Sequence, residues 1–329
     1  MEELQRVFKN FASDGPLQRA ESLTGIFKQL EASQFGLVRA TYQTAIQALE
    51  LPMDHPLAQA GMDIARLIDS PPGTINYGGH GNAYHNRNHM FEVLTGTTAL
   101  ISLHVEKNCS PPLDVEDKLL LLTAAVAHDL DHNGKGNGMG ANRKPLLTEQ
   151  HSIDLAKPII RARYSESETD RFEKDFARFE TLIAATDIGG GKTVAAFFED
   201  FARYQAQHVK EPPQAPAPEL EKFANALKRF PALPEMCLIM QDADIIPSIG
   251  LTCEWAQKQD ARMASENPST QRPDGTVNTA GTIWFYENLA KLGSQAGKEF
   301  QCNFDEIKKA ANAREEAFLK NPPQRKLIV

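Results

Sequence analysis

Cysteine is scarce in this chain. Only Cys109, Cys237, Cys253 and Cys302 occur among 329 residues, and none forms a Cys-x-x-Cys pair. That spacing argues against a zinc ribbon or a dithiol redox motif, and sparse, scattered thiols suit a reducing compartment. Long apolar runs are also missing. The longest, residues 119–127, contains a threonine and falls far short of the roughly 20 residues that a membrane span requires. An excess of positive charge is absent: the net charge is −8, which argues against a dominant nucleic-acid-binding surface. It leaves a small anionic substrate open, because a bound metal attracts phosphate locally. Residues 1–5 are acidic with no apolar run behind them. From these absences a soluble, cytoplasmic protein without nucleic-acid or membrane partners is expected, with no secretory signal.

Alternating strand patterns, internal repeats and heptad arrays are lacking too, whereas helical periodicity is abundant. Residues 17–50 carry Leu17, Leu23, Ile26, Leu30, Phe35, Val38, Tyr42 and Ile46, mostly three or four apart. Residues 114–128 predict a deeply buried helix, with Asp114 as N-cap, Asp117 three positions on, and few polar faces. Further helices are expected over residues 166–187, 219–230, 235–246, 251–266, 279–292 and 302–320, and Pro158 should kink or end the helix that contains it. Glycine- and proline-rich loops interrupt at 70–82, 133–145 and 211–218. The expected architecture is one compact all-α catalytic domain over 1–329. Residues 1–70 would form an N-terminal helical part, 75–310 the core and 311–329 a tail.

Two short clusters carry the chemistry. Tyr84-His85-Asn86-Arg87-Asn88-His89 places two histidines four apart, the spacing of one helical face. His128-Asp129-Leu130-Asp131-His132 ends the most apolar helix with an imidazole beside a carboxylate, which is costly to bury unless paired or metal-bound. His132 is again four residues from His128, so three donors are expected to converge there. Such a set can hold a divalent cation and leave room for water, the requirement of phosphoester hydrolysis.

These segments resemble the catalytic domain of the class I cyclic nucleotide phosphodiesterases. Tyr84-His85-Asn86 with His89 matches their Tyr-His-Asn-x-x-His, and His128 to His132 match their His-Asp-x-Asp-His. Thr148-Glu149-Gln150-His151, Ala185-Thr186-Asp187, Ala243-Asp244 and Gln301-Cys302-Asn303-Phe304 follow in the family's order. The resemblance implies an HD-type all-α fold and hydrolysis of a 3′,5′-cyclic nucleotide, cAMP or cGMP, to the 5′-monophosphate. It implies two divalent metals, zinc in the first site and magnesium or manganese in the second, with a hydroxide between them. His89, His128, Asp129 and Asp244 would be metal ligands, His85 the general acid, and His132, Glu149, His151 and Asp187 outer groups. Tyr84, Gln301 and Phe304 would contact substrate, Gln301 hydrogen-bonding the purine edge and Phe304 stacking on it. Trp255 falls about where the family places a pocket tryptophan, and a core role accounts for it equally well.

Asp242 competes with Asp244, but two residues apart on a helix they point about 200° away from each other, and a solvated carboxylate is the expectation for Asp242. The family's asparagine after the metal aspartate is replaced by Pro247, so base recognition should differ. Gly189-Gly190-Gly191-Lys192-Thr193 is not a P-loop, since Thr186 stands where its first glycine belongs, and no Gly-x-Ser-x-Gly occurs. Competing readings are a broader His-Asp phosphohydrolase and a non-catalytic nucleotide sensor.

Overall fold

A computed structural model describes the chain except residues 1, 12, 32–36, 138–142, 189–191, 207–210, 216–217, 273–274, 301–302 and 321–329. Among the described residues there is no β-strand, only an isolated antiparallel bridge between Gln271 and Val277. The helices are α1 (Glu2–Asn10), α2 (Pro16–Glu31), α3 (Leu37–Ala48), α4 (Pro56–Ile68), α5 (Arg87–Glu106), α6 (Val115–Ala127), α7 (Leu147–Arg161), α8 (Thr169–Ala185), α9 (Lys192–Gln205), α10 (Glu221–Arg229), α11 (Leu233–Ile249), α12 (Cys253–Glu266), α13 (Thr279–Asn288), α14 (Gln295–Phe300) and α15 (Phe304–Lys320). The all-α expectation therefore holds, and no single described helix is long and apolar enough to cross a membrane.

α5, α6 and α11 form the centre. α6 starts where the sequence says, because the Asp114 side chain accepts from the Asp117 N–H and Asp117 returns the bond to the Asp114 N–H. Residues 119–127 are all buried, which is why this helix is apolar all round. α5 is capped by Asn86, whose side chain accepts from the Asn88 N–H. α11 lies against α5, α8, α9 and α12. One buried apolar cluster runs from Leu4 in α1 to Ala311 in α15. Glu31 at the end of α2 pairs with Lys258 and Arg262 of α12, fastening the N-terminal helices to the core.

Several boundaries differ from expectation. Pro158 neither ends nor interrupts α7, which continues to Arg161. It sits in the last turn, where only one helical hydrogen bond is forfeited. Helices α1, α4, α5, α9 and α14 escape the periodicity argument. α9 follows directly on the glycine run at 189–191, which lies outside the described residues.

Asp242 is the largest correction. Far from solvated, it is 1% exposed and accepts from the Gly293 N–H (2.7 Å), the Ser294 N–H (2.9 Å) and the Ser294 hydroxyl. Burial pushes its pKa up to about 7 despite those bonds. It holds the loop into α14, and Gly297 is required there because a Cβ would lie 2.0 Å from the Asp242 carboxylate. Asp242→Ala is expected to cost about 3 kcal/mol, the price of stranding several buried donors. Thermal or urea unfolding checks this, and an unchanged midpoint would remove Asp242 from the fold's support.

Candidate active site

Two helix ends and the body of a third helix meet at one point. His89 enters from the first turn of α5, His128 caps the C-terminus of α6, Asp129 follows it, and Asp244 comes from α11. His89 Nε2 lies 3.0 Å from Asp244 Oδ1 and 3.5 Å from Asp129 Oδ2. His128 Nε2 lies 3.2 Å from Asp129 Oδ2, 3.7 Å from Asp244 Oδ1 and 3.4 Å from His89 Nε2. His128 Nδ1 bonds the Ala125 carbonyl at 3.0 Å. That contact makes Nδ1 the protonated nitrogen and turns the lone pair of Nε2 toward the cluster.

Two imidazole nitrogens and two carboxylates thus converge in a buried spot, a donor set suited to a divalent cation. The electrostatics agree. Burial alone would lower the His128 pKa, yet the Asp129 and Asp244 carboxylates push it up to about 9. Burial would raise that of Asp129, but His128, His85 and His132 hold it well below the usual carboxylate range. Both shifts show the carboxylates drawing positive charge to this point, the part that a bound cation would take. His89, His128 and Asp244 each offer a ligand atom within 4.8 Å of the others.

His85 does not share a helical face with His89. α5 begins at Arg87, and His85 sits in the turn before the Asn86 cap. Gly79, at φ +58°, makes room for that turn, since a Cβ there would lie 2.3 Å from the His85 carbonyl. Asn82 Nδ2 donates to the carbonyls of His85 (2.8 Å) and His132 (2.7 Å), joining the two motif loops. His85 Nδ1 is bound to Glu266 Oε1, and Glu266 Oε2 accepts from the backbone N–H groups of Tyr84 (2.8 Å) and His85 (2.9 Å). Burial would depress the His85 pKa, but Glu266, Asp129 and Asp244 reverse this and raise it. Glu266 itself is held down at about 2, against the pull of burial, by His85 and those N–H groups. With Nδ1 committed to Glu266, Nε2 is the nitrogen left to meet a substrate. No local pattern announces Glu266; it is the last residue of α12, 181 positions from His85.

The other expected residues separate. His132 leaves the α6 axis, because the chain turns at Asp131 (φ +56°). Its ring stacks on His85 at 3.9 Å, so it does not join His128. Burial and the neighbouring His85 push its pKa down to about 4. Glu149 accepts from Asn137 Nδ2 at 2.8 Å, and burial with Asp187 nearby pushes its pKa up to about 7. Asp187 is bound by Arg143 and by the Leu146 N–H (2.9 Å). His151 is half exposed and bonds Asp131 Oδ2 at 3.0 Å.

A cavity of about 290 Å³ joins these groups. Its polar side includes Tyr84, His85, Asp129, His132, Glu149, Asp187 and Asp244. Its apolar side is Ile188, Ile245, Met263, Phe285 and Leu289. His151 and Phe304 are not among its lining residues. Phe304 packs edge-on against Tyr286, centroids 6.0 Å apart, and Phe285 takes the wall position. Gln301 lies outside the described residues. Trp255 is a core residue, 1% exposed and tilted on Phe27 at 5.6 Å.

The profile of the 3′5′-cyclic nucleotide phosphodiesterase family matches residues 84–266, more than half of the chain. A Caenorhabditis elegans protein described as "Probable 3′,5′-cyclic phosphodiesterase pde-6" is 27% identical over 167 residues, covering 45% of this chain and 20% of that protein. The matched region is thus about a fifth of that relative. Among solved structures, the phosphodiesterase domain of the RhoPDE fusion protein from the choanoflagellate Salpingoeca rosetta superposes with a TM-score of 0.58 at 17% identity. That superposition covers 89% of this chain and 99% of the other. LmjPDEB1, solved with IBMX, gives a TM-score of 0.57 at 15% identity, covering 84% and 86%. At these identities the structural likeness speaks for the fold.

Proposed function

The chain belongs to the 3′5′-cyclic nucleotide phosphodiesterase family, and from that premise we propose that it hydrolyses the 3′ ester of cAMP or cGMP to the 5′-monophosphate. The observation that carries this reading is the opening of two groups onto one cavity: Asp129 and Asp244 from the cation-ligand set, and His85 backed by Glu266. His89, His128, Asp129 and Asp244 would hold the first metal, for which zinc suits the mixed nitrogen and oxygen donors. Asp129 would also reach a second metal, magnesium or manganese, which needs few protein ligands. When bound, such metals lower the pKa of water and offset phosphate charge.

The chain's own groups supply the rest. His85 Nε2 would give its proton to the departing 3′-oxygen, and Glu266, through Nδ1, orients the ring and favours its protonated form. The apolar wall of Ile188, Ile245, Met263, Phe285 and Leu289 suits one face of a purine. Ser248 lines the same cavity, and its hydroxyl offers both a donor and an acceptor. Pro247 removes the family's amide from this rim, so base choice would rest on Ser248, Gln301 and the shape of the wall. The continuous buried cluster from Leu4 to Ala311 supports reading the chain as one catalytic domain.

A broader phosphohydrolase reading keeps one argument in its favour, the position of Phe304 away from the cavity. Assaying cAMP, cGMP and bis-p-nitrophenyl phosphate with magnesium or manganese separates the readings. Chelator-sensitive turnover of a cyclic nucleotide is the expected result. Turnover of the generic ester alone would replace this proposal with the broader one, and nucleotide binding with no turnover would make the protein a sensor.

A further inference from the structure

Arg143 is the only arginine or lysine among the described residues that line the cavity, where Asp129, Glu149, Asp187 and Asp244 also lie. It belongs to none of the motifs read from the sequence. Its Nη2 is bound to Asp187, a carboxylate buried to 1% side-chain exposure and held in turn by the Leu146 N–H. Its Nη1 is buried and has no hydrogen-bond partner. Unpartnered buried donors are uncommon and costly, and at functional sites they point to a missing acceptor. The guanidinium is therefore anchored on one edge and unsatisfied on another, with 12% of the side chain still exposed beside the cavity. Neutralising Asp187 requires only the Nη2 edge and leaves Nη1 unexplained.

We propose that Arg143 binds the phosphoryl group of the ligand in this cavity, the guanidinium N–H groups that Asp187 does not take turning to a non-bridging oxygen while Asp187 anchors the side chain. A planar, always-charged fork is suited to phosphate oxygens. A 5′-monophosphate carries more negative charge than the cyclic diester, so the contact favours product over substrate and should set the strength of product inhibition. That the ligand is a nucleotide rests on the phosphodiesterase reading; the phosphoryl contact itself does not.

The test compares wild type, Arg143→Gln and Arg143→Lys by titration calorimetry with magnesium present. The probes are 5′-AMP, 5′-GMP, adenosine, guanosine and inorganic phosphate, and cyclic-nucleotide hydrolysis is measured separately on wild type. The expected result is a roughly ten- to hundredfold loss of 5′-nucleotide affinity in Arg143→Gln, the range of a charge-assisted hydrogen bond. Nucleoside affinity should stay unchanged, and Arg143→Lys, which keeps the charge beside Asp187, should lose less. Equal nucleotide affinity in wild type and Arg143→Gln would overturn the proposal. So would a parallel loss for nucleosides and nucleotides, since it marks a collapsed site. If wild type neither hydrolyses nor binds nucleotides, the phosphodiesterase reading fails alone, and phosphate decides for Arg143: weaker phosphate binding in Arg143→Gln supports it, and equal or no binding overturns it.

Discussion

Asp129→Ala is expected to reduce kcat by at least roughly a thousandfold, equivalent to about 4 kcal/mol, and to lower the metal content. Asp129 Oδ2 lies within 3.5 Å of both His89 Nε2 and His128 Nε2. Removing it leaves two imidazoles and one carboxylate, too little negative charge to hold a second divalent ion. Metal content of the purified variant and its turnover of cAMP and cGMP give the two readouts. A third is thermal. A ligand that binds only the folded state raises its stability, so chelator should lower the Tm of wild type more than that of Asp129→Ala. A variant that keeps its metals and its rate would remove Asp129 from the site. Asp242→Ala makes the natural contrast, since its expected defect is in stability.

His85→Ala should lower kcat on a cyclic nucleotide by about 10²- to 10⁴-fold with metal content intact, the usual contribution of a positioned general acid. The departing 3′-alkoxide needs a proton, whereas p-nitrophenolate leaves without one. The same variant should therefore lose far less activity on bis-p-nitrophenyl phosphate. Glu266→Gln is expected to fall between wild type and His85→Ala, because a neutral amide keeps a contact with Nδ1 but no longer favours the imidazolium. Equal losses on both substrates would assign His85 to binding or to structure and not to proton transfer.

Of the metal-ligand candidates, His128 and Asp129 were legible from local geometry, whereas His89 and Asp244 came from the family resemblance. A histidine at the end of an all-apolar helix, followed by aspartate, has little reason to be buried unless it is paired or metal-bound, and His128-Asp129 is that pair. Asp114 and Asp117 announced the start of α6 for a similar reason, since a capping box closes within four residues. Readings that extrapolated a helix beyond its end failed. The four-residue spacings of His85 to His89 and of His128 to His132 both cross a helix boundary, so the shared faces that they suggested do not exist. Local pattern cannot show that Asp242 is buried, because its partners, Gly293 and Ser294, lie more than fifty positions away.

The sequence by itself determined the fold class, the central apolar helix and the His128-Asp129 pair at its end. Those properties follow from periodicity and from the cost of burying charge, both of which act over a few residues. Only the tertiary structure decided which groups serve the cavity around them. Glu266 behind His85, Phe285 in the place expected of Phe304, and Arg143 clamped by Asp187 all depend on how α7, α8, α12 and α13 pack around α5, α6 and α11. No local pattern specifies contacts between segments brought together only by packing the whole core.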